Sequence, residues 1–192
     1  MKLRLPAWAV LLLICVVVGG ALGAVNSLTE GPIAQQALEA ADAARRKSFE
    51  AADSFEEMEL AADSGVDSCY MAMVDGQLAG YVAQVTVTGF GGPVEIHIGM
   101  DLDQTITGIN VGGSNFSETP GLGDRARDPE FTEQFAGLTI PTQLGNGVDA
   151  ITGATITSGA VSSGVNKGGY FIRDLIDPPA EDNRPEDLHS YG

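Results

Sequence analysis

At 192 residues the chain has room for one domain of ordinary size plus an attachment. Setting aside Lys2 and Arg4 leaves 8 basic residues against 26 acidic ones, a formal balance of −18, and such a surface repels phosphate backbones and excludes nucleic acid as a partner. Two cysteines, Cys15 and Cys69, and two histidines, His97 and His189, are too few and too scattered for a zinc or iron–sulfur site, so no metal is expected and redox chemistry needs another cofactor.

From Leu5 to Val25 no residue is charged. About 21 residues at ~1.5 Å each give roughly 30 Å, the thickness of a bilayer's hydrocarbon core. The segment is therefore expected to span, with Trp8 at the interface and Gly19, Gly20 and Gly23 as small packing surfaces. Lys2 and Arg4 precede it and no basic residue follows until Arg45, which puts the N-terminus in the cytoplasm and the rest outside. A cleaved signal peptide is the competing reading, with Ala21-Leu22-Gly23 as a rough cleavage site, but the apolar run is longer than such peptides need.

Residues 33–60 are rich in Ala and Glu, and Leu38, Ala41, Arg45 and Phe49 recur at helical spacing, which predicts a helical stem. After Ser64-Gly65 the pattern turns to β. A hairpin is predicted from Ser68–Val74, the turn Asp75-Gly76, and Leu78–Thr88, where Tyr81, Ala83, Val85 and Val87 alternate with polar partners. Gly89-Phe90-Gly91-Gly92-Pro93 breaks the run, and Val94–Met100 and Thr105–Val111 make two further strands. Residues 112–128 form a long polar, Gly-rich loop, the kind that is often functional. A short helix is predicted at Pro129–Phe135. After residue 158 a helix carries one apolar stripe, Val161, Val165, Ile172, Leu175 and Ile176, and ends at Pro178-Pro179. The predicted division is residues 1–27 as N-terminal end and anchor, 28–63 as stem, 64–177 as the folded domain and 178–192 as an acidic tail.

The segment Asp149-Ala150-Ile151-Thr152-Gly153-Ala154-Thr155-Ile156-Thr157-Ser158 sets hydroxyls and small residues just before that helix. First helical turns leave N–H groups unpaired and, with the helix dipole, favour an anionic phosphate. Gly153 and Ala154 let a phosphate approach, and Thr155 offers an oxygen beside them. From composition alone the plainer reading is a small-residue turn with Thr157 or Ser158 as helix cap.

The order Asp149, two residues, Thr152, Gly153, Ala154, Thr155 resembles the flavinylation motif of FMN-binding domains, in which a transferase joins FMN to the last Thr through a phosphodiester. Glu118-Thr119-Pro120-Gly121-Leu122-Gly123 resembles a second loop of the same family, the G subunit of the Rnf complex and the related C subunit of the sodium-pumping NADH:quinone reductase. Gly89-Phe90-Gly91-Gly92-Pro93-Val94, Gly99-Met100-Asp101 and Val25-Asn26-Ser27-Leu28-Thr29 are similar to it as well, and the short link between anchor and sheet fits the Rnf protein better. Where that family is expected to carry a Trp after the second motif, this chain has Phe131.

The resemblance implies an α+β fold: a transmembrane helix, a helical stem, and an extracytoplasmic FMN-binding domain with a mainly antiparallel sheet and packed helices. It implies an electron-carrying subunit of an inner-membrane complex that moves Na⁺ or H⁺, not a complete enzyme alone. FMN would be covalently bound at Thr155, with Asp149, Thr152, Gly153 and Ala154 recognised by the transferase and shaping the turn, and Glu118, Thr119, Pro120, Gly121 and Leu122 walling the flavin. Its partners would be the other subunits and, during maturation, the flavin transferase. The alternatives are an anchored binding or adhesion module without cofactor, and the flavin domain of another extracytoplasmic reductase.

Overall fold

The computed structural model describes residues 6–61 and 64–178. A helix, α1, runs Ala7–Ser48. The chain divides into two compact units, residues 1–43 and 44–192. In the first, the side chains of Trp8, Leu11, Leu12, Leu13, Ile14, Val16, Val17 and Val18 are all exposed. By length and composition this helix can cross a membrane, and none of its apolar window is buried within the protein. Ser27 and Thr29, just past the apolar run, turn their hydroxyls back onto the carbonyls of Gly23 and Val25 in the same helix, at 3.1 and 2.9 Å.

The second unit holds a five-stranded sheet, β1 (Ser54–Glu57), β2 (Ser68–Val74), β3 (Gln77–Thr88), β4 (Pro93–Asp101) and β5 (Ile106–Gly112), in sequence order. Every neighbouring pair is antiparallel, as the hairpin spacing requires. Strand alternation divides the sheet's side chains between two covers. Ala83, Val85, Val94, Ile96, Ile98, Met100, Ile109 and Val111 meet Val161, Val165 and Ile172 of the last helix, α3 (Thr155–Ile176), in the main core. The short helix α2 (Pro129–Thr132) and a 3₁₀ turn at Glu133–Phe135 close one side of that core with Phe131 and Phe135. A two-stranded ribbon, β6 (Gln143–Leu144) and β7 (Gly147–Val148), leads into α3.

The second face of the sheet is covered by residues 44–52, where Phe49 and Ala52 pack on Ala72 and Val82. Ser48 anchors this cover: its Oγ donates to the His97 carbonyl at 3.1 Å and its carbonyl accepts from Thr107 Oγ1 at 2.7 Å. The Ser48 carbonyl lies so close over Gly99 that any Cβ there would collide with it.

The helical stretch expected over 33–60 stops as helix at Ser48, and residues 54–57 become β1 instead. The outer edge of β2 offers unpaired backbone groups, and Ser54 to Glu57 satisfy them by pairing with Met73 to Tyr70. Tertiary pairing thus overrides the helix propensity of the Glu-rich run. The last helix begins at Thr155, so the motif threonine lies inside its first turn. Lys2 and Arg4, which carry the orientation argument, and the tail from residue 179 lie outside the described residues.

His97 lies under the 44–52 cover, buried, flanked in register by Gln84 and Asn110, and among the described residues neither ring nitrogen has a hydrogen-bond partner. Burial, and then the Arg45 charge, lower its pKa from 6.5 to about 4. An unfolded His97 takes up its proton near 6.5, whereas the folded one resists until about 4. The folded state should therefore hold its full stability above about pH 6.5 and lose on the order of 3 kcal/mol from this group as pH falls towards 4. Urea unfolding of the full chain in detergent at pH 7 and pH 4.5 checks this. The parent should lose markedly more stability than His97→Gln, and equal losses would show that the imidazole is not the cause. Burial also pushes the Cys69 thiol up to about 12, only partly opposed by a backbone hydrogen bond at Tyr70, which makes it a packing residue and no nucleophile.

Candidate functional site

Three segments far apart in sequence meet at the N-terminus of α3. They are the turn after β3 with Phe90, the loop with Glu118, Thr119, Leu122 and Gly123, and Gly153 to Thr157. Together they line a pocket of about 340 Å³, within the ~300–1,000 Å³ typical of small-molecule sites. Its rim is apolar: Phe90 is 69%, Ile156 63% and Leu122 42% exposed. Large exposed apolar side chains around one concavity are a surface that waits for an apolar ligand.

The turn into α3 is held from within. Ser158 Oγ accepts from the Ile151 N–H at 3.0 Å and donates to the Ala154 carbonyl at 3.0 Å. Gly153 adopts φ +80°, a conformation that side chains resist, and it brings the backbone close to Leu122. The residue that caps α3 is Ala154, with no side-chain hydrogen bond to the first turn, so neither Thr157 nor Ser158 is the cap that composition offered. A 22-residue helix thus presents first-turn N–H groups without a side-chain acceptor at the floor of the pocket. With its dipole, this end carries the equivalent of roughly half a positive charge. FMN has a phosphate, which suits the uncapped helix end, and a flat ring system whose faces and dimethylbenzene end suit the apolar rim.

The two threonines at the helix start differ sharply. Thr155 is exposed. Thr157 is 1% exposed, and its hydroxyl donates to Glu118 Oε2 at 3.0 Å. Glu118, itself 8% exposed, also accepts the Gly91 N–H at 3.1 Å through Oε1.

Of the ten residues marked by motif, Glu118, Thr119, Leu122, Gly153, Ala154 and Thr155 line this pocket. Pro120 and Gly121 do not, and form the turn between Thr119 and Leu122. Asp149 and Thr152 line a separate groove of about 420 Å³ with Arg125, Asp128 and Gln134. There Gln134 Oε1 accepts the Asp149 N–H at 2.7 Å, which fixes the backbone at the motif's start. Sequence reasoning missed Phe90, Gly123, Ile156 and Thr157 as pocket residues. The signal for Phe90 was legible: a large apolar residue between glycines in a turn has no core to enter. A larger cavity, about 680 Å³, runs beside β5. It contains none of the ten candidate site residues and mixes Lys47 and Arg127 with Glu50, Asp101 and Glu133, so it has no single charge character.

Residues 89–168 match the FMN-binding domain family. The G subunit of the Na(+)-translocating ferredoxin:NAD(+) oxidoreductase complex of Acetobacterium woodii is 32% identical over 189 residues, covering 86% of this chain and 90% of that protein. The G subunit of the proton-translocating ferredoxin:NAD(+) oxidoreductase complex of Clostridium ljungdahlii is 29% identical, with 80% and 83% covered. Its counterpart in the ion-translocating oxidoreductase complex of Methanosarcina acetivorans is 38% identical over 56% of each chain. Among solved structures, the C subunit of the Na(+)-translocating NADH-quinone reductase from Parabacteroides distasonis aligns with a TM-score of 0.48 and 27% identity, over 58% of this chain and 63% of that one.

Proposed function

Because the chain belongs to the family of G subunits of ion-translocating oxidoreductase complexes and contains an FMN-binding domain, we propose that it is an electron-carrying subunit of such a complex, with FMN joined through its phosphate to the Thr155 hydroxyl. Bound FMN supplies one- or two-electron chemistry at its ring. The chain's own residues bind and orient: the uncapped end of α3 receives the phosphate, and Phe90, Leu122 and Ile156 exclude water from the ring.

The observation that carries the linkage is the contrast between two hydroxyls. Thr155 is exposed at the mouth of the pocket, whereas the Thr157 hydroxyl is buried and committed to Glu118. Asp149 and Thr152 line the neighbouring groove, where a transferase can read them without entering the pocket. The α1 segment anchors the protein in the inner membrane beside its partner subunits. With Lys2 and Arg4 on the cytoplasmic side, the FMN domain lies outside, where a cofactor that dissociated could not be replaced from the cytoplasm and a covalent bond would keep it.

One preparation tests linkage and orientation together. Right-side-out spheroplasts of cells making the native protein are treated with protease, and the protein is run on a denaturing gel beside an untreated sample. The untreated band should fluoresce as a flavin and carry the added mass on the peptide containing Thr155, because an ester survives detergent where bound FMN leaves. A dark band of unmodified mass overturns the linkage. Protease should remove the fluorescent band, and a band protected in intact spheroplasts reverses the orientation.

A further inference from the structure

Glu118 was expected to wall the flavin, yet both of its oxygens are engaged inside the protein, by the Gly91 N–H at 3.1 Å and the Thr157 hydroxyl at 3.0 Å. The space around them is closed. A Cβ at Gly89 would collide with Oε1, and one at Gly123 with Oε2. Glycine or hydroxyl positions on three separate segments therefore fit around one buried carboxylate.

Each of these positions adjoins a wall of the pocket. Gly89 and Gly91 flank Phe90, Gly123 follows Leu122, and Thr157 follows Ile156. Within this pocket, Phe90, Leu122 and Ile156 are the large exposed apolar residues. Exposed side chains get little positional restraint from packing, so their backbones must be fixed by something else. Glu118 is the group common to all three.

We infer that Glu118 is a positioning residue and not a flavin contact: its carboxylate clamps the Phe90 turn, the Leu122 loop and the start of α3 into one pocket, and holds a fixed negative charge in its wall. The inference rests on the FMN reading for its electrochemical part, and the clamp itself is testable without flavin. A hydrogen bond to a charged acceptor is stronger than a neutral one, and two of them converge here on a carboxylate that is itself 8% exposed. A negative charge beside a flavin opposes the gain of electron density on reduction, so it lowers the reduction potential.

The test uses the full-length chain in detergent, as parent, Glu118→Ala and Glu118→Gln, with and without FMN attached. Gln has nearly the same volume. Its carbonyl can accept the Gly91 N–H while its amide donates to Thr157 Oγ1, so it keeps the clamp and removes the charge. In the flavin-free protein, hydrogen–deuterium exchange at the Gly91 amide should be on the order of tenfold or more faster in Glu118→Ala, with Glu118→Gln between Glu118→Ala and the parent because its neutral carbonyl is the weaker acceptor. In the loaded protein, Glu118→Ala should show lower flavin fluorescence anisotropy, and Glu118→Gln a raised potential with parent-like anisotropy.

Unchanged exchange at Gly91 in Glu118→Ala overturns the clamp. So does a loss of stability with flavin anisotropy and potential unaltered, because Glu118 would then serve the fold alone. If Glu118→Ala does not fold, Glu118→Asp takes its place for exchange, being one methylene too short to reach both partners: parent-like exchange at Gly91 then overturns the clamp, and a parent-like potential in Glu118→Gln overturns the charge assignment. A parent that takes up no FMN defeats the functional reading instead, while the exchange data still judge the clamp.

Discussion

Thr155→Val should abolish covalent flavin and leave the unfolding midpoint of the protein unmoved. Thr155 is exposed in the first turn of α3, and Val keeps the β-branched shape while it removes the oxygen that forms the ester. Surface substitutions of this kind stay within about ±0.5 kcal/mol. Thr157→Val should do the reverse. It leaves Glu118 Oε2 buried without its donor, a loss of about 1–3 kcal/mol, and it retains the flavin. In-gel fluorescence read beside urea unfolding separates the two. A fluorescent Thr155→Val paired with a dark Thr157→Val would move the attachment to the buried hydroxyl and refute the assignment.

Phe135→Ala should be the most damaging single truncation outside the pocket. Phe135 is fully buried and meets Phe131 edge-on, ring centroids 5.5 Å apart at 79°. Removing a ring from such a site costs about 3–5 kcal/mol, from lost transfer energy and the cavity left behind. The loss should spread to the cofactor site. Next to it, Gln134 holds the Asp149 N–H, and just after it Gly137 and Leu138 pair with both backbone groups of Ile106 on β5. Urea unfolding should show the fall in midpoint, and flavin content should drop with it. Ile156→Ala serves as the contrast, because Ile156 is 63% exposed and its removal should scarcely move the midpoint. A Phe135→Ala cost below about 1 kcal/mol would mean that the site collapses around the gap far better than such cores do.

Strands β2 to β5 were legible because alternation and turn residues point the same way. Tyr81, Ala83, Val85 and Val87 alternate along β3, and Asp75-Gly76 supplies the positive φ angles its turn needs. β1 was hidden: Ser54 to Glu57 has no pattern of its own, and only the open edge of β2 makes it a strand. The site was legible where its chemistry is local. Gly153, Ala154 and Thr155, marked by the run Asp149 to Thr155, do line the pocket, although the helix was expected only after residue 158. The contact between Glu118 and Thr157, 39 positions apart, exists only once the sheet has set the Gly91 turn and α3 side by side. His97 was legible as a strand residue, but its burial depends on the Ser48 segment, which sequence reading took for a polar stem.

The way residues 44–52 lie on the sheet decides where the anchor can be removed. A soluble version cut just before β1 would keep all five strands and still lose Phe49, Ala52 and both Ser48 hydrogen bonds. Val82, Ala72 and the unpartnered imidazole of His97 would then face water, and the sheet, already edged by β1, would have one bare apolar face prone to sticking to its own copies. A cut after Ala43 removes the whole apolar span and leaves that cover in place, so the boundary of the soluble domain falls inside the helix and not at its end.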